Sequence, residues 1–476
     1  MLQNYIKVAL RSLLKNRIYT LINIVGLSVG LTCFLLLSLH VRDEFSYDDF
    51  HTNAENIYQV VLERKYPDHI TNYAIVPHSF SDVIVKDFAE VKNAVRILGG
   101  GNNTVRVRYV TEAEEEIAFD ETKLILADST FFDIFSFDLI SGDKQTVLTK
   151  AQSIVLTEST AKKYFGDSDP INKTLNTDFG EFKVTGVCKD NPANSHLEFD
   201  FVGSMRSAPF IANNLNYTGF SVYMYLELDG SSSSKSLVAK FPKMVETYAA
   251  PQIETNLNTT FKEYVAAGNG YNYYLIPVKD IHLHPVEYQG SMKPGGNIND
   301  IYILISIAVL ILLIASINFM NLATARSTER GKEVGIRKTM GSHKQQLIFQ
   351  FLTEAIVTAF IAGIASILFI QLLLPAFNTL IGKSLVFPFD DISLLVSIAG
   401  LALGIGILSG FYPAFVLSAF NPVYVLKGSL SSGKKFQHAS ECSGRWTVCG
   451  VHCAYYWNVC SEGSNQFPQQ QRFGLR

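Results

Sequence analysis

The sequence predicts an α-helical membrane protein: four transmembrane helices and, between the first and the second, a mixed α/β extracytoplasmic domain. Three observations carry that prediction. Charged residues make up only 17% of the 476, against about 25% in soluble domains, and the apolar residues are clustered. Four runs are long enough to cross a hydrocarbon core of about 30 Å, and the runs Ile18–Val41 and Ile301–Ala325 contain no Asp, Glu, Lys or Arg. Finally, the loops between runs alternate in basic content, the pattern left when Lys and Arg near span ends resist translocation.

Taken in order, residues 1–17 place Lys7, Arg11 and Lys15 at four-residue spacing, with Ile6, Ala9, Leu10, Leu13 and Leu14 largely opposite. This reads as an amphipathic helix in the cytoplasmic interface. Residues 18–41 form the first span. A signal peptide would have an apolar region of only about 7–15 residues followed by small residues. His40-Val41-Arg42-Asp43 offers no such site, so a retained anchor is expected. The domain then covers 43–299. Short alternating segments predict strands at Ile57–Leu62, Thr104–Tyr109, Phe182–Val187, Tyr223–Leu228 and Tyr273–Pro277, the period-2 signature of half-buried β structure. Ser129–Phe135 and Glu158–Phe165 read as helices, and a division into two lobes is placed near 204–214. Cys188 is the only cysteine of this domain, so it folds without an internal disulfide.

The second span is 301–325, the third 347–374 with Pro375 closing it, and the fourth 392–417 with Pro413 bending or stopping the helix. Between the second and third lies an elbow, 326–346, which carries Arg326, Arg330, Lys332, Arg337, Lys338 and Lys344 against Glu329 and Glu333. Glu333 and Arg337 are four apart, the helix-supporting orientation. Gly341 is placed to end that helix, and Ser342 with Gln345 to open the next through a capping box. The expected topology is N-terminus in, domain out, elbow in, short loop out, basic end in. The elbow is expected to meet a cytoplasmic partner. Basic segments this short, lying beside spans, give no reason to expect nucleic acid as a partner.

Residues 436–476 differ in kind. They hold both tryptophans and four of the six cysteines, with no helical or strand period. Cys442, Cys449, His452, Cys453 and Cys460 do not give the paired ligand spacing of a zinc site, so an out-of-frame or damaged end is the expectation, and no metal or cofactor is expected. Three other motifs resolve into structure. Gly26-Leu27-Ser28-Val29-Gly30 has hydrolase spacing, but it lies in a span, not on a strand-to-helix turn. Gly26 and Gly30, and likewise Gly400 with Gly404 and Gly406 with Gly410, read as small-residue faces for close helix packing. Gly382-Lys383-Ser384 imitates the end of a phosphate loop, but the glycine required five residues earlier is Phe377. His282 and His284 on a strand, with Glu287 nearby, read as structural. Glu354 is either a functional intramembrane charge or an interfacial one.

Several stretches together resemble the permease subunits of MacB/FtsX-type ABC transporters, particularly the long, two-half members frequent in Bacteroidetes-like bacteria. They are NIVGLSVGL, DEFSYDDFHTNAENIYQV, SIVLTESTAKKYFGDSDPINKTL, the elbow INFMNLATARSTERGKEVGIRKTMGSHKQQLIFQFLTEA and SGFYPAFVLSAFNPVYVLKG. The resemblance covers residues 1 to about 435. It implies a MacB-like periplasmic core domain, a cytoplasmic ABC ATPase on a separate or fused domain, and a homo- or pseudo-dimeric membrane unit with room for a periplasmic partner. It implies a docking surface that includes Glu333, Gly335, Arg337, Lys338 and Gly341. Long members continue into a second half, so this chain reads as a first half cut short. It is expected to be a non-enzyme that couples ATP hydrolysis elsewhere to motion of its domain, for export or extraction. An FtsX-like role in activating an envelope enzyme or sensor is the other function class.

Overall fold

The computed structural model describes residues 2–419, except 101–103, 112, 213, 231–232, 285 and 326–333. Two units emerge, Arg42–Ile301 and a helical unit built from Met1–Val41 and the described part of Tyr302–Arg476. The sequence expectations for Glu329, Glu333, Arg326, Arg330 and Lys332, and for everything in 436–476, lie outside the described residues.

Four helices are long and apolar enough to cross a membrane: Arg17–Phe45, Ile298–Ala325, Lys344–Ile381 and Ile392–Phe415 within the helix Ile392–Ala419. They are called spans one to four below. A shorter helix, Leu2–Lys15, precedes them. The bend between it and span one is closed locally, with Asn16 Nδ2 donating to Ser12 O at 3.0 Å and Thr20 Oγ1 to Leu13 O at 3.1 Å. Its apolar face is split: Ala9 and Leu13 are buried among the spans, whereas Leu10 and Leu14 remain exposed.

Two helix ends differ from the sequence expectation. Pro375 does not close span three, which continues to Ile381. Proline in a helix forfeits one backbone bond, and apolar neighbours on both sides keep the chain helical. The stop comes at Gly382, whose φ of +67° is left-handed, a conformation glycine adopts without penalty. The Asn378 side chain then ties down the outgoing backbone, donating to Leu385 O at 2.9 Å and accepting from Leu385 N at 3.1 Å. Pro413 likewise sits inside span four and does not end it. The N-terminus of span three is shifted by one residue from the expected Ser342/Gln345 box. His343 occupies the cap, and its N–H donates to Gln346 Oε1 at 3.2 Å.

Unit Arg42–Ile301 is organised on one 13-stranded sheet. From edge to edge it runs Gly270–Pro277, Ile57–Lys65, Tyr223–Leu228, Val91–Gly99, Leu124–Ala127, Phe201–Ser204, Ser153–Thr157, Gly180–Cys188, Thr174–Thr177, Val105–Val110 and Glu116–Glu121. Ile70–Tyr73 branches from the second of these and Leu139–Ser141 from the eighth. Pairing is antiparallel except where Gly180–Cys188 meets Ser153–Thr157 and where Phe201–Ser204 meets Leu124–Ala127. The sheet runs without interruption through strands on both sides of 204–214. Chain neighbours in this stretch are separated in space because their hydrogen-bond partners come from earlier strands: Tyr223 pairs with Ile97 and Phe201 with Leu124.

Strand Tyr223–Leu228 shows how side-chain alternation builds two cores from one strand. Met224, Leu226 and Leu228 enter a cluster with Phe80, Ile84, Phe241 and Met244. Tyr223 and Tyr225 point the other way, into an aromatic cluster with Phe131, Phe135, Phe137 and Phe199. A third cluster around Val107, Leu156, Tyr164 and Phe182 fills the far end. Buried Glu227 is held by Asn53 at 3.1 Å, Lys92 at 2.9 Å and Asn93 at 3.0 Å. A buried carboxylate needs such partners to persist.

Candidate functional site

Lipid tails are as apolar as leucine, so spans associate by close packing and interhelical hydrogen bonds, with no hydrophobic drive between them. Span three supplies a small-residue face of Ala355, Ala359, Ala362, Gly363 and Ser366, all buried. Ser28, the serine of the hydrolase-like motif, donates to Ile24 O on its own helix and to Ala362 O across the interface at 3.1 Å. Thr32 repeats the pattern toward Ser366 O at 3.4 Å. Of the six glycines singled out by spacing, three sit at tight crossings. A Cβ at Gly30 would lie 2.4 Å from Ala315 Cβ, one at Gly406 2.8 Å from Ile356 Cα, and one at Gly410 2.6 Å from Ala355 Cβ. Gly26 has only an ordinary contact, with Asn318 at 3.6 Å, and Gly400 and Gly404 have nothing within 4 Å. These last two do not pack against another span, because a four-residue repeat marks one face of a helix without saying which face meets a neighbour.

At the elbow, residues 334–339 are helical. Val334 anchors them in a small cluster with Leu347, Phe351 and Ala414. Gly341, at φ +94°, ends the turn, with its N–H on Lys338 O at 3.1 Å and Ser342 N–H on Arg337 O at 3.0 Å. Gly335 is buried, and the Arg337 guanidinium donates to Gln350 Oε1 at 2.7 Å, which fastens the elbow to span three. Lys338 is half-buried. Of the docking residues named from the sequence Gly341 is exposed, and beside it Ile336, Thr339 and Met340 (82% exposed) are exposed as well. Sequence reasoning missed Ile336 and Met340. Their four-residue spacing was visible, but nothing distinguished an outward apolar pair from an inward one.

The third constellation was also missed. Glu44, Ser46, Tyr47, Asp48 and His51 leave span one, and residues 282–296 lead toward span two. The first segment meets the loop 194–196 in a buried polar knot, and beside it meets the second segment. Asp48, fully buried with φ +59°, accepts from Ser195 Oγ at 3.3 Å and His196 N at 3.1 Å. His196 Nδ1 lies 2.8 Å from its other oxygen, and His196 Nε2 lies 2.9 Å from Tyr225 OH. Asn194 donates to Ser46 O at 2.8 Å. Beside this, His282 Nε2 meets Glu44 Oε2 at 2.7 Å while its ring stacks on Tyr47 at 3.4 Å. Gly296 passes close by: a Cβ there would lie 3.0 Å from Glu44 Oε2. His282 is therefore on a turn paired with a carboxylate, not on a strand beside His284. The nearest signal was the run of acids and aromatics in DEFSYDDFH, but its partners are long-range. Among the described residues no group of three or more His, Cys, Asp and Glu could hold a metal ion.

Burial pushes the Asp48 carboxyl up, but His196, by charge and hydrogen bonds, and to a lesser degree His51 outweigh that desolvation and hold it below the usual carboxylate range. His51 is pushed down to about 4, chiefly by burial and against the attraction of Asp48. Ser136 N–H donates to its Nδ1 at 3.1 Å, so the neutral ring carries its proton on Nε2. The unfolded chain takes up that proton near 6.5 and the folded one only near 4. Stability from this group is therefore complete above about pH 6.5 and declines as pH falls toward about 4. Melting temperature of the purified chain is expected to drop through that window, and His51→Gln to flatten the slope. An identical slope in the variant refutes the assignment.

Four membrane-length helices, an α/β domain spliced between the first two and a short basic elbow between the next two define a transporter membrane subunit of the permease class. Two family models match, a MacB-like periplasmic core domain over residues 20–243 and an FtsX-like permease C-terminal domain over residues 305–422. The chain belongs to the MacB/FtsX-type permeases of ABC transporters. It is similar to the macrolide export ATP-binding/permease protein MacB of Mannheimia succiniciproducens, 26% identical over 65% of this chain and 44% of that protein. MacB of Neisseria meningitidis is 28% identical over 62% and 42%. The uncharacterized ABC transporter permease YvrN of Bacillus subtilis is 24% identical over 63% and 68%. This chain thus spans under half the length of the MacB proteins it matches. Among solved structures, a domain of a Porphyromonas gingivalis protein described as a permease aligns with a TM-score of 0.39 at 20% identity, over 48% of this chain and 91% of that one. The periplasmic region of MacB from Actinobacillus actinomycetemcomitans aligns at 0.29 and 14%, with the same coverage.

Proposed function

We propose that the chain is a non-enzymatic permease subunit of a bacterial inner membrane, with its N-terminus cytoplasmic and its α/β domain periplasmic. A partner ABC ATPase docks on the elbow, and its ATP-driven motion reaches the periplasmic domain for export or extraction of a substrate. A homo- or pseudo-dimeric membrane unit and a periplasmic partner belong to the same reading. The supporting observation is the elbow helix 334–339. It is fixed to the spans by Val334 and Arg337 and leaves Ile336 and Met340 outside. Exposed apolar residues on a rigid, basic rim suit a protein groove better than water. The knot at Asp48 and Glu44 supports the mechanical part, because it fastens the segments that follow span one and precede span two into the domain.

The test is co-purification with a candidate ABC ATPase from the same cell. Ile336→Glu with Met340→Glu should reduce both capture and stimulation of ATP hydrolysis at least about tenfold, as expected when one or two anchors worth about 1–2 kcal/mol each are lost. Charge reversal at Arg337 and Lys338 should also weaken capture, through the rim and the lost tie to Gln350. Unchanged capture and stimulation in both variants refute the docking surface.

A further inference from the structure

The N-terminal helix Leu2–Lys15 turns one face to the protein and leaves the rest of its surface outside. Ala9 and Leu13 are buried among the spans, and Ser12 Oγ beside them donates to Glu354 Oε1 on span three at 3.0 Å. Side chains four residues apart line up along a helix, so the outer surface divides into two neighbouring rows. One is apolar: Ile6, Leu10 and Leu14 are all exposed, Leu14 to 68%. The other is basic: Lys7, Arg11 and Lys15 are all exposed and extend over about 12 Å at 1.5 Å per residue.

The chain supplies no counterpart to either row. Residues 1–42 contain no Asp or Glu. The side chains of Lys7, Arg11, Lys15 and Arg17 have no ion pair or hydrogen bond with a described residue. Span one starts at Arg17, directly after the bend, and its first outward residue, Ile18, is 78% exposed, with Leu21 and Ile22 exposed below it. Outward apolar residues of a span belong in the hydrocarbon core, so the bend at Asn16 lies where that core ends. Lys15 and Arg17 are then at the depth of the lipid headgroups, the level that basic residues beside a span occupy.

We propose that the row Lys7, Arg11 and Lys15, with Arg17, is a binding site for anionic phospholipid. The lipid phosphates lie on the cations, and the acyl chains run along Leu10, Leu14 and Ile18. A zwitterionic lipid brings a cation of its own to the row and gains little there. Free phosphate or an acidic soluble peptide answers the charges but leaves the apolar row in water. An anionic lipid satisfies both rows at once, because they run side by side. Each Lys or Arg near a membrane surface favours anionic lipid by about fivefold. Bound lipid thereby holds a helix that is already tied to span three through Ser12 and Glu354. The site depends on the spans and not on ATPase docking, so either can fail without the other.

Native mass spectrometry of the detergent-purified full-length chain, with no ATPase present, provides the test. Phosphatidylglycerol should stay bound in at least one copy per chain, and phosphatidylcholine should bind at least about tenfold more weakly. Lys7→Gln, Arg11→Gln and Lys15→Gln together should lower phosphatidylglycerol affinity about 100-fold, three cations at about fivefold each. Elution in size-exclusion chromatography should not change, because none of the three lies on the buried face. Lys7→Arg with Lys15→Arg keeps the charge and should bind as the parent does. Lys235→Gln, Lys243→Gln and Lys262→Gln remove as many exposed charges from the α/β unit and should have no effect. Leu10→Ser with Leu14→Ser should weaken phosphatidylglycerol several-fold with every cation in place, and inorganic phosphate should not compete. Equal retention of the two lipids, or phosphatidylglycerol binding that survives the triple glutamine variant, would overturn the site. Competition by inorganic phosphate with no effect of the serine variant would mean a free-anion site and overturn it equally.

Discussion

Asp48→Ala should lower the melting temperature by roughly 10 °C, because removing one partner from a buried charged network typically costs about 3–5 kcal/mol and about 2–4 °C follow from each kcal/mol in a domain of this size. Three effects add. The acceptor for Ser195 and for the His196 N–H disappears, and so does the carboxylate 2.8 Å from His196 Nδ1. Alanine must also hold φ near +59°, a region that aspartate and asparagine tolerate better. Asp48→Asn keeps that tolerance and much of the acceptor geometry, so it should cost about half as much. Differential scanning fluorimetry of the detergent-purified chain reads both. A shift under about 2 °C for the alanine variant would mean that the knot does not hold the base of the domain together.

Gly30→Leu should prevent the helical unit from assembling. Two carbon atoms are at ease near 3.5–4.0 Å, and even a single Cβ at this position would lie 2.4 Å from Ala315 Cβ. Overfilling a packed interface costs about 1–3 kcal/mol where neighbours can shift. Here two backbones limit that shift, so loss of a monodisperse peak in size-exclusion chromatography is the expected result. Gly410→Leu should behave alike, since Ala355 stands 2.6 Å from its Cβ position. Gly400→Leu and Gly404→Leu are the controls within one chain, with nothing within 4 Å, and should elute as the parent does. If all four behave the same, close approach is not what these glycines are for.

The glycines of span four illustrate how far the sequence could be read. The repeat Gly400/Gly404/Gly406/Gly410 shows that span four has small-residue faces, but the two pairs are indistinguishable until neighbours are placed. The elbow was legible as a basic segment with a break at Gly341, and the left-handed turn is there. Its outward residues were not, because Arg337 looks solvent-facing by charge yet reaches Gln350, while Met340 looks buried by chemistry yet is 82% exposed. Pro375 failed as a stop signal for a related reason: local preference yields when the flanking chain is apolar enough to remain helical.

By itself the sequence determined where this protein meets lipid, how many membrane-length helices it has and that a mixed α/β domain lies between the first two. Those properties depend on composition over about 20 consecutive residues, a length set by the bilayer, and on alternation over a few residues within strands. Only the tertiary structure decided that Asp48 would meet His196, that Glu44 would meet His282, and that Asn23 and Glu354 would line one cavity. Each of these joins residues remote along the chain, and a contact between distant residues is settled by how helices and sheet pack, which no local window of sequence contains.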